Sequence, residues 1–341
     1  MIDIRTSAPG KAVIAGEYVV LAGAPAISMA LNRRARVRVV EIDDSAHRVS
    51  APGYLEESFR FCGEADGAVI WLDELPDAGS FALLECVWKQ VGTSHKGGLS
   101  ITLNTADFFD PASGSKLGLG SSAALTTALT SALVCLQRDN RSAESLAAKA
   151  HRDFQQGAGS GIDIATAVYG GVIEYKAGQP VTTLRWPTNL SYRVLWSGKP
   201  VSTTEKLSRL VDQSSGPGNN RVAALSRELT GAWKKGEVTS VLSVLRQYTD
   251  ALEQYSIDQR LGIFEAGHQE LADKAKAHRN IVYKPCGAGG GDIGIVLGES
   301  IHDVDLFAED AVASGFSAPD ILLDIDGVTT EELVSEGNKT C

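Results

Sequence analysis

The segment SKLGLGSSAALTTAL, residues 115–129, places two glycines and two adjacent serines directly before a run of residues that predicts a helix. Glycines at such a position let the backbone approach a ligand closely, and a helix amino terminus carries about half a positive charge. The hydroxyls of Ser121 and Ser122 could bind a phosphate or a magnesium ion. The pattern predicts a phosphate-binding loop, although Ser121 could instead simply cap the helix.

The same glycines satisfy the G-x-G-x-x-A pattern of dinucleotide-binding proteins, which requires a strand immediately before the loop. Here the preceding residues, FDPASGSK, are polar, and a second predicted helix follows the first. Another match, at Gly289, Gly291 and Gly294, is followed by the strand-like IGIVLGE where a helix is required. The chain also lacks a G-x-x-x-x-G-K-[ST] sequence. Neither a Rossmann nor a Walker A nucleotide site is therefore indicated.

Three separated segments carry a family resemblance: SAPGKAVIAGEYVVLAGAPA, KLGLGSSAALTTAL and KPCGAGGGDIGIVL, which together span residues 7–297. In form and order they resemble the three signatures of the GHMP kinases, a family that includes galactokinase, homoserine kinase, mevalonate kinase and phosphomevalonate kinase. Lys116 ahead of the loop and the segment AHRDFQQGAGSGIDIATAVYGG are most similar to the phosphomevalonate kinase branch.

This resemblance implies an α+β, two-lobed GHMP-kinase fold with the active site in the cleft. The amino-terminal lobe would resemble the second domain of ribosomal protein S5, and the carboxy-terminal lobe would be ferredoxin-like. We expect an ATP-binding domain at residues 1–185 and a second domain at 186–341. The expected cofactors are ATP and Mg²⁺, with Ser122 as the metal ligand. The residues implied to bind ATP are Lys116, Gly118, Leu119, Gly120, Ser121, Ser122 and Ala123.

The resemblance assigns catalysis to Lys11, which would project toward the transferring phosphoryl group, and to Asp163, which would face it. A fixed cation there offsets the charge on the equatorial oxygens. A solvated Lys11 and an Asp163 that caps a helix after Gly161 are the alternatives. His151 is left out of the catalytic set. Motif position alone implies an acceptor site made of Glu17, Tyr18, Ser160, Gly287, Ala288, Gly289, Gly290 and Asp292.

The chain departs from its relatives at three positions. Ala158 stands where the phosphomevalonate kinase branch commonly has lysine, and Cys286 where it commonly has serine, so a contact to the substrate or product phosphates is either missing or supplied from elsewhere. Arg152 occupies the position of a magnesium-binding glutamate of mevalonate kinases. This last departure favours an acceptor other than mevalonate.

The expected reaction is ATP-dependent transfer of a phosphoryl group to (R)-5-phosphomevalonate, giving (R)-5-diphosphomevalonate and ADP in the mevalonate route to isoprenoids. An alcohol acceptor would need a general base, whereas a phosphomonoester is already mostly dianionic at pH 7. Asp163 would then orient rather than deprotonate. The alternatives are mevalonate kinase, another small-molecule kinase or decarboxylase of this family, and a non-catalytic metabolite-binding protein on the same scaffold.

The elements that must position these residues can be read from hydrophobic periodicity. Strands are predicted across the first 42 residues, including KAVIAGEYVVLAG, and helices at 121–137, 142–156 and near 163. The second lobe is predicted to open with the strand SYRVLWSG, to run helically through 202–278 with an interruption at SSGPGNN, and to continue with NIVYKP, a glycine cluster and DIGIVLGE. A helix near 303–314 and a final strand, ILLDIDGV, complete it.

Composition limits the partners. Asp and Glu total 42 against 32 Lys and Arg, a formal charge of −10, which argues against nucleic acid or an anionic membrane as a partner. The five cysteines are scattered and do not indicate disulfides or a zinc site. No signal peptide or membrane span is evident, so we expect a cytoplasmic protein, monomeric or homodimeric, whose partners are small-molecule substrates.

Overall fold

A computed structural model describes residues 2–64, 66–92, 95, 97–201 and 217–334. The centre of its larger sheet is a long antiparallel pair, β1 (Ile2–Ala15) and β2 (Ala26–Ile42). Along β2 buried and exposed side chains alternate, because Val37 and Val39 are buried while Arg36 and Arg38 are exposed. The other strands of this sheet are β3 (His47–Ser50), β4 (Ser58–Gly63), β5 (Val69–Trp71), β6 (Gly98–Asn104), β7 (Val172–Tyr175), β8 (Thr182–Leu184) and β12 (Thr329–Val334).

The strand order is β12-β1-β2-β6-β3-β4-β5, with β7 pairing to β2 and β8 to β7. Helix α2 (Ser121–Gln137) packs on β1 and β2, between α1 (Ala82–Val91), α3 (Ala143–Phe154) and α4 (Ile162–Tyr169). Small residues cover α2 on nearly every side and are buried, as expected for a helix enclosed by neighbours. This packing holds α2 in place, and with it the glycine loop that precedes Ser121.

The second sheet is antiparallel in the order β10-β11-β9, formed by β9 (Ser191–Trp196), β10 (Ile281–Pro285) and β11 (Ile293–Gly298). Its helices are α5 (Pro217–Lys235), α6 (Val238–Asp258), α7 (His268–Lys276) and α8 (Ile301–Ala313). The glycine-rich segment 287–291 lies in the hairpin loop that connects β10 to β11. In the described part of the chain, no helix combines the length and the apolar character needed to cross a membrane.

Most predicted helices are confirmed to within about two residues at each end, the usual uncertainty of helix boundaries. The strand predicted through KAVIAGEYVVLAG is wrong beyond Ala15, where a turn leads into a short 3₁₀ helix, Val19–Ala22. Gly16 and Tyr18 have φ values of 98° and 63°, which a strand cannot accommodate. The part of the predicted helical stretch at 202–216 lies outside the described residues. The interruption predicted at SSGPGNN is wrong from Pro217 onward, because a helix begins there, and the described stretch is broken instead by turns at 259–267.

The predicted final strand, ILLDIDGV, is also wrong: this segment bonds to β2 around an isolated bridge between Leu31 and Leu323, but it forms no continuous strand. The last strand, β12, comes later and pairs antiparallel with β1, with Ile2 opposite Val334. It thereby covers an edge of the larger sheet that would otherwise be open. We propose that the two lobes divide near residue 185. The carboxy-terminal strand, β12, nevertheless pairs with β1 in the first sheet.

Candidate active site

The glycine loop has the backbone geometry expected of an anion cradle. Gly118 and Gly120 have φ values of 76° and 78°, in the left-handed region that favours glycine. Gly120 is the N-cap of α2, and no side chain caps this helix. Because Ser121 is the first helical residue, the alternative in which it caps the helix is wrong. The first amides of α2 therefore have no capping side chain, an arrangement suited to phosphate.

Lys11 lies where the three sequence motifs meet. Its backbone N–H donates to Leu119 O at 2.8 Å, which joins β1 to the glycine loop. Its side chain runs so close to Gly120 that a Cβ there would lie 3.1 Å from Lys11 Cε, and Lys11 Nζ is 3.7 Å from the corresponding point on Gly287. The ammonium therefore sits between the glycine loop of the first lobe and that of the second.

Asp163 is the charged partner of Lys11, with Lys11 Nζ 3.1 Å from Asp163 Oδ1. Burial is the largest single influence on the pKa of the Lys11 ammonium and lowers it, but the charge and hydrogen bond of Asp163, with smaller contributions from Cys286 and Asp292, together raise this pKa above its ordinary value. Lys11 is thus a fixed cation at neutral pH. Gly161 caps α4 and Asp163 is its second residue, so the capping alternative is wrong here as well.

A cavity opens beside this ion pair. Lys11 and Asp163 line one side, and several predicted acceptor residues line the rest, namely Glu17, Tyr18, Ser160, Gly287 and Ala288. Val20, Leu21 and Ile162 add an apolar wall. The geometry therefore brings together a fixed cation, a carboxylate and a partly apolar cavity.

Three predicted acceptor residues lie outside the cavity lining. Gly289 and Gly290 pack on Ile263, whose carbonyl accepts the Gly290 N–H at 2.7 Å. The Asp292 carboxyl lies against Gly118, where any Cβ would overlap it, and its Oδ1 accepts the Val201 N–H at 3.1 Å. Asp292 therefore contacts the glycine loop at Gly118 and does not line the cavity.

The remaining predicted ATP contacts differ in exposure. Leu119 and Ser121 are buried, and Ala123 packs against Ala147 and Ile164. Their side chains therefore support the loop, while Lys116 is exposed at its entrance. A phosphate contact from Leu119, Ser121 or Ala123 would have to use the backbone.

His151 is a site residue that the sequence reasoning set aside. It is buried in α3, lines the cavity, and its Nε2 lies 3.2 Å from Ser122 Oγ. Burial is the main influence on the pKa of His151 and lowers it, while Asp163 opposes that shift and Lys11 adds to it. The imidazole is therefore neutral at pH 7. A lone histidine on a helix gives no sequence signal for this contact.

Lys284 and Tyr248 were also missed. Both are completely buried, and both contact the Glu17 carboxylate. A lysine within the otherwise apolar strand NIVYKP was the available signal for Lys284, since a buried lysine requires a partner. Cys286, at the predicted departure from serine, is buried, and burial raises the pKa of its thiol to about 11. It is a neutral thiol.

A metal ion would have to arrive with other ligands. Within the described ranges, no group of three or more His, Cys, Asp or Glu side chains could hold one. Mg²⁺ prefers oxygen ligands and is commonly held by substrate phosphates, water and only one or two protein groups. The partly buried Ser122 hydroxyl at the start of α2 fits such a site.

Comparisons with known proteins agree with this geometry. Residues 83–171 match the model of the GHMP kinases N terminal domain. A phosphomevalonate kinase from Streptomyces sp. (strain CL190) is 30% identical over 337 residues, covering 85% of this chain and 88% of that protein. The chain belongs to the GHMP kinase family. Both the resemblance and the two-lobed α+β fold predicted from the sequence are confirmed.

Two further relatives of this GHMP kinase are informative. The structure of Streptococcus pneumoniae phosphomevalonate kinase in complex with phosphomevalonate and AMPPNP matches with a TM-score of 0.76 at 17% identity, covering 98% of this chain and 100% of that one. The mevalonate kinase of Pyrococcus furiosus is 33% identical over 189 residues, covering only 52% of this chain and 53% of that protein. The sequence alignment with this mevalonate kinase thus covers about half of each chain.

Proposed function

We propose that this GHMP kinase transfers the γ-phosphoryl group of ATP to (R)-5-phosphomevalonate, giving (R)-5-diphosphomevalonate and ADP in the mevalonate route to isoprenoids. The observation that carries the proposal is the position of Lys11, between the glycine loop of α2 and the cavity that contains Asp163. The choice of acceptor is supported by the Streptomyces phosphomevalonate kinase, which aligns over most of both chains.

In this proposal the first amides of α2 bind the ATP phosphates, and the Ser122 hydroxyl binds the accompanying Mg²⁺. The metal would neutralise part of the phosphate charge. His151, 3.2 Å from Ser122 Oγ, holds that hydroxyl in place. Because His151 is neutral at pH 7, it adds no charge that would repel the metal.

Two anions must be brought together in this reaction, and that repulsion is a large part of the barrier. The acceptor phosphate is mostly dianionic at pH 7, so its attack requires no general base. Lys11 offsets the charge on the transferring group, and Asp163 fixes the direction of the Lys11 side chain through their 3.1 Å contact. We propose that Asp163 is an orienting residue.

Mevalonate is the second candidate acceptor, favoured by the Pyrococcus furiosus alignment. It would require Asp163 to accept a proton from an alcohol. Arg152, which replaces an expected metal-binding glutamate, is exposed on α3 and lines a groove next to the cavity, together with Lys149. A basic groove suits an acceptor that carries more negative charge than mevalonate.

The substrate proposal is tested by a coupled ADP-release assay with ATP and Mg²⁺, offering phosphomevalonate, mevalonate, homoserine and galactose separately. We expect turnover with phosphomevalonate and little with the other three. Lys11→Met should lower kcat about 100-fold or more, the usual effect of removing one charge-stabilising group. The control is Lys234→Met, which removes only an exposed pair with Glu174.

Turnover of mevalonate without turnover of phosphomevalonate would overturn the choice of acceptor. Unchanged kinetics for Lys11→Met would overturn the site. Absence of turnover with all four acceptors would favour the non-catalytic alternative. We also propose a cytoplasmic monomer or homodimer acting on small molecules, which gel filtration and cell fractionation would test.

A further inference from the structure

A buried charged cluster lies directly behind the acceptor cavity. The Lys284 ammonium and the Glu17 carboxylate form an ion pair in which the two side chains are 0% and 1% exposed. Lys284 Nζ also donates to Val13 O at 3.2 Å. Tyr248 Oη donates to Glu17 Oε2 at 2.6 Å and accepts the Gly16 N–H at 2.8 Å. Both oxygens of Glu17 are therefore bonded to protein groups.

The members of this cluster come from three elements. Glu17 belongs to the turn after β1, Tyr248 to α6, and Lys284 to β10, only three residues before Gly287. The turn at 16–18 forms one wall of the cavity and the loop at 287–288 forms another. The ion pair thus joins the turn at 16–18, in the first lobe, to the strand that leads into the loop at 287–288, in the second lobe. The turn and the loop are two of the walls of the cavity.

A second connection spans the same two walls at the surface of the cavity. Tyr18 Oη donates to Ala288 O at 2.7 Å. Tyr18 has a φ of 63°, which is rare for a residue with a bulky side chain and persists only where the surroundings hold it. The bonds to its neighbours Gly16 and Glu17 supply that restraint.

Stability alone does not account for the cluster. The cost of removing two charges from water roughly cancels their attraction, so well-packed apolar residues of similar size usually serve the fold as well. An ion pair with directional hydrogen bonds also holds the groups that it joins in one defined arrangement. Here those groups are the walls of the pocket.

We propose that Lys284 is a positioning residue for the acceptor: paired with Glu17 and supported by Tyr248, it sets the distance between the turn at 16–18 and the loop at 287–288. Glu17, expected from the sequence to touch the acceptor, acts instead through the shape of the wall. This inference rests on the proposed function, in that the cavity must receive the acceptor.

The test uses the double variant Glu17→Met/Lys284→Met, which replaces the pair with apolar side chains of similar length and leaves no unpaired buried charge. Tyr248→Phe is the milder variant. Its matched control is Tyr192→Phe, because Tyr192 Oη also accepts a backbone N–H, that of Leu323 at 2.5 Å, away from the cavity. Melting temperature and the KM values for ATP and phosphomevalonate are measured for each.

We expect a folded double variant whose KM for phosphomevalonate rises, so that its kcat/KM for this acceptor falls about 10- to 100-fold. The KM for ATP should stay within two-fold, since the glycine loop of α2 is not part of the cluster. Tyr248→Phe should show a smaller change in the same direction, and Tyr192→Phe none.

A folded double variant with an unchanged acceptor KM would overturn the proposal, as would an equal rise in both KM values. A fall in kcat alone, with both KM values unchanged, would indicate a structural role and would also overturn it. Wild-type enzyme is assayed first with phosphomevalonate and mevalonate. If only mevalonate is turned over, the proposed acceptor fails, and the variants are compared with mevalonate to judge the positioning role separately.

Discussion

Lys11 and Asp163 show how two residues 152 positions apart in the sequence become one chemical unit. The pair is only partly exposed, with side chains 14% and 26% accessible. Partial burial strengthens the interaction of Lys11 with an incoming phosphate, because water screens it less. Asp163 keeps the ammonium protonated and limits the directions in which it can point.

Replacing Asp163 with Asn distinguishes an orienting residue from a general base. A base contributes about 100- to 10,000-fold, whereas a lost orienting contact should lower kcat only about ten-fold with phosphomevalonate. Steady-state kinetics between pH 6 and 9 are the measurement. A fall well beyond 100-fold would show that Asp163 removes a proton.

The glycine loop and α2 act as one element. Its position depends on Gly118, whose missing side chain leaves room for the Asp292 carboxyl of the second lobe. The start of α2 is thereby held against the loop between β10 and β11. The two glycine-rich motifs consequently support each other rather than forming separate sites.

Gly118→Ala tests this contact, and Gly114→Ala is the matched control. Both positions have positive φ, 76° and 67°, so each alanine should lower the free energy of unfolding by about 1–2 kcal/mol. Only at position 118 would the new Cβ overlap a neighbour, because Gly114 has nothing within 4 Å. We expect Gly118→Ala alone to raise the KM for ATP about ten-fold, equivalent to about 1.4 kcal/mol.

Equal KM values for ATP in Gly118→Ala and Gly114→Ala would contradict this view of the loop. Urea unfolding measures the free energy of unfolding of both variants. The loss caused by the positive φ is common to the two, and any larger loss in Gly118→Ala is due to its overlap with Asp292.

The chain as a whole is tied together by its return to the first sheet. Arg34 of β2 is the main anchor for this last segment, with its side chain 15% exposed. It bonds Asp324 Oδ2 at 2.5 Å, Gly327 O at 2.7 Å, Asp326 O at 3.2 Å, Ser7 O at 3.0 Å and Ser7 Oγ at 3.0 Å. One guanidinium thus joins β1, β2 and the segment that precedes β12.

Arg34→Met should lower the free energy of unfolding by about 2–4 kcal/mol, because it leaves several partly buried oxygens and a carboxylate without their donor. The control is Arg36→Met on the same strand, whose exposed pair with Asp107 should be worth less than about 1 kcal/mol. Urea denaturation at pH 7 measures both. Similar losses of unfolding free energy in the two variants would mean that Arg34 does not anchor the segment that precedes β12.

Local chemistry was enough to predict a large part of this protein. The start of α2 follows from glycines, serines and helix formers that lie within a few residues of one another, and so do the hairpin strands β10 and β11. The three motifs identified the family, and with it the pair of Lys11 and Asp163. Such features depend mainly on neighbours in the sequence.

Other features were decided by tertiary structure. Lys284 meets Glu17 across 267 positions, Tyr248 meets Glu17 across 231, and β12 pairs with β1 from the opposite end of the described chain. The turn at Tyr18 likewise adopts a conformation that its own sequence disfavours. The physical reason is the same in each case: a buried charge, a strained turn or an open sheet edge is stable only when a distant segment supplies its partner, and local sequence does not specify which segment that is.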